Sequence, residues 1–138
     1  GYKVVGVKAT LYDGSYHPVD SKEAAFKEAA RLAYNEGMPK AKPVLLEPIG
    51  KITITAPEEY TGTLIGDITK RRGSILDMHA NDDGDQVIEG EVPMREMLSY
   101  ATELRSMTQG IGSYVLAFDR YEPAPKEIAD KVIADAKK

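Results

Sequence analysis

The sequence contains no cysteine and no tryptophan, only two phenylalanines and two histidines, and no long apolar run. Each shortage excludes something. Without cysteine there is no disulfide framework and no thiolate chemistry. The two histidines, His17 and His79, lie far apart and lack paired metal-ligand spacing. No stretch approaches the roughly 18 apolar residues of a membrane-spanning helix, and no basic, apolar leader marks a signal peptide. Positive charge is in deficit, with 18 Lys and Arg against 22 Asp and Glu for a net charge of −4. A uniformly basic nucleic-acid coat is thereby excluded, although a local basic patch is not. These traits are compatible with a reducing cytoplasm, which is the expected location.

What is present is 138 residues, 42% hydrophobic and 29% charged, enough for one ordinary domain or two small lobes. The chain begins at Gly1 and runs straight into a strand-like segment, which predicts native sequence upstream. Over residues 2–12, Val5, Val7, Ala9 and Leu11 alternate with Val4, Lys8, Thr10 and Tyr12, the period of a half-buried strand. A polar loop follows, holding Ser15, Tyr16, His17 and Pro18. Asp20 and Glu23 have capping-box spacing, so a helix is expected from about Ser21, with Ala25, Phe26, Ala29, Ala30 and Ala33 as its apolar stripe. Gly37 is its expected C-cap, and Pro39 forbids simple continuation.

The segment from Pro39 to Pro43 is the expected lobe boundary. Residues 44–55 read as a strand, and Thr55 with Glu58 predicts a second capping box. Tyr60, Leu64, Ile65 and Ile68 form a helical stripe that Gly73 ends. Residues 74–80 and 86–92 flank an Asn81-Asp82-Asp83-Gly84 turn as a hairpin. Met94, Met97, Leu98, Ala101 and Leu104 form the stripe of another helix, closed by Gly110. Tyr114, Leu116 and Phe118 mark a last strand, and residues 125–137 suit a tail helix with Ile128, Val132 and Ile133 as its apolar face. Strand, helix, strand, strand, helix, strand is the βαββαβ order of a ferredoxin-like sandwich, an α+β fold. The expected division is 1–38, 39–122 and 123–138. A lone strand and helix over 1–38 cannot satisfy its edges, so that part reads as a piece of a larger domain. Such an orphan strand can pair with another chain, giving an artefactual dimer of an otherwise monomeric fragment.

Catalytic signatures are missing. The only Gly-Lys pair, Gly50-Lys51, is followed by Ile52 and forms no phosphate loop. Asp82, Asp83 and Asp85 have the flavour of a calcium loop but lack its twelve-residue pattern ending in Glu. No nucleophile elbow or triad pattern occurs. Three features could bind rather than react. His17, beside Tyr16 and Pro18, is either a solvated loop histidine or a contact residue at a rigid tip. Lys70, Arg71 and Arg72 at a helix C-terminus either complement the helix dipole or contact phosphate. Residues Arg105 to Gly110 form either a capped helix end or a recognition corner.

Four longer motifs, taken together, are specific. Leu11-Tyr12-Asp13-Gly14-Ser15-Tyr16-His17 runs on through Val19-Asp20-Ser21, and Lys42-Pro43-Val44-Leu45-Leu46-Glu47-Pro48-Ile49 follows. Pro57-Glu58-Glu59-Tyr60-Thr61-Gly62 leads to Ile65-Gly66-Asp67 and Arg71-Arg72-Gly73. Tyr100-Ala101-Thr102 precedes Leu104-Arg105-Ser106-Met107-Thr108-Gln109-Gly110 and Gly112-Ser113-Tyr114. In order and spacing these resemble the C-terminal part of elongation factor G, a translational GTPase, over essentially the whole chain.

The resemblance implies that residues 1–38 are the end of the fourth domain, a ribosomal-protein-S5-like arm. Ser15, Tyr16, His17 and Pro18 would then form its tip, facing mRNA and tRNA at the decoding site. Residues 43–120 would be the ferredoxin-like fifth domain, near the GTPase-associated rRNA of the large subunit, with Lys70, Arg71 and Arg72 as rRNA contacts and the Arg105–Gly110 corner as structure. The parent would promote tRNA–mRNA translocation in the cytoplasm. GTP and Mg would belong to a G domain outside these residues, so this chain would carry no cofactor and no enzyme activity. Against the usual pattern, Pro18 replaces an acidic residue, Lys22 a serine, Ser99 a glycine and Gly50 a methionine. A fragment of a ribosome-protection factor and a free-standing ferredoxin-like interaction module are the alternative readings.

Overall fold

The computed structural model describes residues 2–138, which divide into two compact units. The larger, Leu45–Pro125, contains β1 (Leu46–Pro57), α2 (Thr61–Lys70), β2 (Ser74–Ala80), β3 (Asp85–Pro93), α3 (Tyr100–Met107) and β4 (Ser113–Pro123). The smaller contains α1 (Glu23–Lys40) and α4 (Lys126–Ala136).

In the larger unit the strands form one antiparallel sheet in the order β2-β3-β1-β4. With one helix after β1 and one after β3, this is a ferredoxin-like α+β sandwich. Period-two burial drives it. Ile52, Ile54 and Ala56 of β1 are buried, while Lys51 on the opposite face is exposed. Ile54 lies opposite Ile88, and Ile52 opposite Gly90, so one face gathers the apolar residues. Leu64 and Ile68 of α2, with Tyr100 and Leu104 of α3, complete the core on that face. Each fully buried Leu or Ile contributes about 1.5–3 kcal/mol. Gly90 is held to glycine by close approach, since a Cβ there would lie 2.6 Å from the Ser74 carbonyl oxygen of β2.

Several local expectations are corrected. The Thr55–Glu58 capping box does not form, because Thr55 pairs with Val87 and Ser113 inside the sheet. A 3-10 turn, Glu58–Tyr60, leads into α2 instead, with no side-chain cap. The stripe expected over residues 94–104 is re-phased. Met94–Met97 is a second 3-10 turn, and α3 begins only at Tyr100. The change of helix type rotates Met97, Tyr100 and Leu104 inward and leaves Leu98 91% exposed. Ala101 is exposed as well. Phe118 is half-exposed near a register shift in the β1–β4 pairing and lies 5.1 Å from the Tyr121 ring.

Both α2 and α3 end in a Schellman arrangement, and in both a non-glycine residue enters the left-handed region before the expected glycine, with Gly110 at φ +84 as well. Arg72 has φ +64 while Gly73 N–H donates to the Ile68 carbonyl at 2.9 Å. Gln109 has φ +53 while Gly110 N–H donates to the Arg105 carbonyl at 2.8 Å. Gly73 is required one position later for space, because a Cβ would meet Ile68 and Val92 side-chain carbons at 2.7 Å.

In the smaller unit, residues 2–22 contain neither strand nor helix, so the strand expected over 2–12 is absent. A strand needs a neighbour to take its N–H and C=O groups, and this segment has none among the described residues. α1 begins at Glu23 without a side-chain cap, so the Asp20–Glu23 capping box is corrected too. It passes through Gly37 and Pro39, and Ala41 N–H closes the last turn on the Gly37 and Met38 carbonyls at 3.1 Å. Near a helix end, proline forfeits one ladder bond without ending the helix. α1 buries no residue, so its alanine stripe stays exposed. In α4 Val132 is buried and Ile133 is exposed.

Candidate nucleic-acid interface

The sequence-nominated tip lies in the stretch before α1. Ser15, Tyr16, His17 and Pro18 are all exposed, with Tyr16 71% accessible. Pro18, Val19 and Asp20 form a turn, and Pro18 sits where a fixed φ near −65° suits its entry. The turn is closed on both sides of His17. Its N–H donates to Ser21 Oγ at 2.5 Å, and its carbonyl accepts from Ser21 N–H at 2.9 Å. The imidazole Nδ1 lies 3.4 Å from Asp20 Oδ2. An aromatic ring, an imidazole and a proline are thus displayed together in solvent, a set able to stack on unpaired bases and hydrogen-bond to them.

The basic cluster at the end of α2 is divided by the fold. Lys70 is exposed and makes no ion pair among the described residues. Arg71 is turned inward, with its side chain only 11% accessible. Its Nε donates to Asp67 at 2.7 Å, one terminal nitrogen to the Glu96 carbonyl at 2.6 Å, and the other to the Glu103 carboxylate. Its guanidinium also lies 5.1 Å from the centre of the Tyr100 ring. One side chain thereby ties α2 to the 3-10 turn and to α3. Burial disfavours the charge on Arg71, but the Asp67 and Glu103 carboxylates outweigh it and raise its pKa. Arg72 forms a bidentate pair with Glu47 of β1 at 2.9 and 3.0 Å and reaches Glu96 at 3.3 Å. Both arginines nominated as rRNA contacts are thus held by carboxylates of the same unit. Of the three residues nominated there, Lys70 alone is presented to solvent without a partner.

Sequence reasoning missed the acidic side of this arrangement. Glu47 is buried to 7% accessibility inside an otherwise apolar strand start, a signal that was readable as a charge needing a partner. Glu103 gave no such signal. It accepts from the Ser99 hydroxyl and from Arg71, and these bonds hold its pKa below the ordinary carboxylate value despite opposing desolvation. Tyr100, unnoticed in the stripe, is fully buried, packs edge-on to Tyr114 at 5.0 Å, and has its pKa raised first by burial and then by Asp67.

The Arg105–Gly110 corner is structural in its inner half. Thr108 is fully buried, and its hydroxyl donates to the Leu104 carbonyl at 2.7 Å and accepts from Gly112 N–H at 2.9 Å. Arg105 and Gln109 remain exposed. A cavity of about 290 Å³ lies between Glu47, Arg72, Glu91 and Arg120. Arg72 is held by Glu47, and Arg120 by Glu91 at 2.9 and 3.0 Å, so the cavity offers no free guanidinium to an anion. Among the described residues no group of three acidic or histidine side chains is placed to hold a metal ion. Among the described residues, too, no helix is long and apolar enough to cross a membrane.

Two family models account for the chain in sequence order. The model for the C-terminus of elongation factor G matches residues 44–132. The chain belongs to the elongation factor G family. The model for domain IV of elongation factor G matches residues 1–42. A crystal structure of a protein from Thermus thermophilus superposes with a TM-score of 0.76 at 41% identity, over 92% of this chain. This chain spans 19% of that protein's length. The tip of His17 thus falls in the stretch matched to elongation factor G domain IV, and Lys70 in the stretch matched to the elongation factor G C-terminus.

Proposed function

We propose that this chain is the ribosome-binding C-terminal part of an elongation factor G-like translational GTPase, working in the cytoplasm to promote tRNA–mRNA translocation. The carrying observation is that the domain IV and C-terminal family models follow one another along a single chain. GTP and Mg would be bound by a part of the parent factor other than these residues. The residues present do not fit that group: Gly50-Lys51 lies within β1, where a Cβ on Gly50 would meet Leu116 at 2.8 Å, and packed strand cannot cradle phosphate.

Within the parent, Tyr16, His17 and Pro18 would meet the tRNA and mRNA of the decoding site. Occupying the space a moving tRNA vacates biases its position, as a steric pawl rather than a chemical catalyst. Lys70 would contact rRNA phosphate near the GTPase-associated centre, and Arg71 and Arg72 would support that surface by holding α2 in place. In the full-length factor, His17→Ala is expected to slow single-turnover translocation and leave ribosome-stimulated GTP hydrolysis intact. Equal loss of both, or loss of neither, would refute the tip assignment. Lys70→Ala is expected to lower the slope of log affinity against log salt by about one unit.

A further inference from the structure

Between residues 2 and 37, Ser21 is the single position that is partly buried rather than exposed. It is also the residue that bonds His17 twice. The Ser21 hydroxyl accepts from His17 N–H at 2.5 Å, and Ser21 N–H donates to the His17 carbonyl at 2.9 Å. Together these bonds close a five-residue ring, His17 to Ser21, with Pro18 inside it. Pro18 has no N–H and a fixed φ, so it neither competes for the clasp nor swivels within it. One turn later, Phe26 N–H donates to the Lys22 carbonyl at 3.1 Å and starts the ladder of α1. Ser21 therefore joins the tip to the first rigid element after it.

We propose that Ser21 is a positioning residue of the tip: its hydroxyl fixes the His17 backbone so that Tyr16, His17 and Pro18 are presented in one orientation. The inference rests on the reading of Ser15 to Pro18 as the tip that meets RNA. A flexible tip reaches the same contacts but must be ordered at each encounter, which slows a step that depends on occupying a defined space. The imidazole to Asp20 contact lies on the exposed side of the same turn and is separable from the clasp.

The test uses the full-length factor and four variants: S21A, S21T, H17A and the double variant H17A/S21A. Single-turnover translocation and ribosome-stimulated GTP hydrolysis are measured for each. S21A is expected to translocate about fivefold more slowly, the effect of losing one ordinary hydrogen bond, with GTP hydrolysis unchanged. S21T keeps the hydroxyl and is expected to restore the rate. H17A keeps the backbone N–H that Ser21 holds. H17A/S21A is therefore expected to lose less beyond H17A than S21A loses from wild type, because part of the clasp's effect passes through the His17 imidazole while Tyr16 and Pro18 still depend on it. Wild-type translocation by S21A, failure of S21T to rescue, or additive loss in the double variant would each overturn the proposal. The two readings fail separately. If H17A is itself silent, the tip assignment falls; if H17A is slow while S21A is not, the clasp alone falls.

Discussion

Residues 2–12 and residues 46–57 carry the same kind of signal and meet opposite fates. Both alternate apolar with polar side chains. In the second, Ile52, Ile54 and Ala56 become nearly inaccessible because β1 has neighbours on both sides, β3 and β4. In the first, Val5 stays 57% accessible and Leu11 93% accessible, and no strand forms among the described residues. Alternation states which face a strand would bury; it does not supply the ladder that makes a strand. The difference lies in partners, not in propensity.

Substitutions can break or sharpen that contrast. The largest effect is expected inside the sheet unit. Tyr100 is fully buried between Arg71 and Tyr114, so Tyr100→Ala should cost about 3–5 kcal/mol in urea unfolding. A loss below about 1 kcal/mol would mean that the helices do not depend on this ring. Next comes the ion network. Arg71→Ala leaves Asp67 and the Glu96 carbonyl without their donor in a poorly hydrated place, and about 3 kcal/mol of stability should go with it. The companion double variant Arg71→Met with Asp67→Leu should recover much of that loss, since it removes both charges together.

A smaller effect concerns pH. Bonds from Ser99 and Arg71 hold the folded-state pKa of Glu103 below the ordinary 4.5. A depressed carboxylate contributes stability that is present above its unfolded value and lost as pH falls through its folded value. The unfolding midpoint should therefore decline as pH drops below about 4.5, and Glu103→Gln should flatten that decline. An identical decline in the variant would assign the acid sensitivity to other carboxylates. The smallest effect belongs to the unpaired segment. Leu11→Ser should change stability by less than about 0.5 kcal/mol, the range of ordinary surface substitutions. A larger loss would show that residues 2–12 bury themselves against something in solution.

Much of the sheet unit was legible in sequence because its signals were local and its partners close by. Ile88, Gly90 and Val92 declared a buried face, and the structure buries all three. Leu64 and Ile68 did so for α2. What escaped was phase and pairing. A stripe from Met94 to Leu104 reads as one helix, yet a 3-10 turn has three residues per turn and rotates everything after it. That rotation exchanged Leu98 for Tyr100. The basic cluster was visible, but of the carboxylates that occupy it only Asp67 is local; Glu47, Glu96 and Glu103 lie 24 to 32 positions away in the chain. No spacing rule joins Arg72 to Glu47. The two Schellman ends were half legible: the glycines were found, but their place after a strained Arg72 and Gln109 was not. At Arg72 the left-handed backbone coincides with the bidentate bond to Glu47, a long-range fact no local pattern carries.

The sheet's two outer strands share a further property. β2 breaks register between Ile75 and Asp77, and β4 breaks it where Ile49 and Gly50 of β1 face Arg120 and Phe118. An outer strand with an uninterrupted row of open N–H and C=O groups is a template for a foreign strand. An interrupted row matches another chain for only a few residues before the spacing fails. The same two irregularities that spoil the regularity of the fold thus oppose its fibrillisation. The guard is geometric, so it persists in high salt, where repulsion between surface charges is screened.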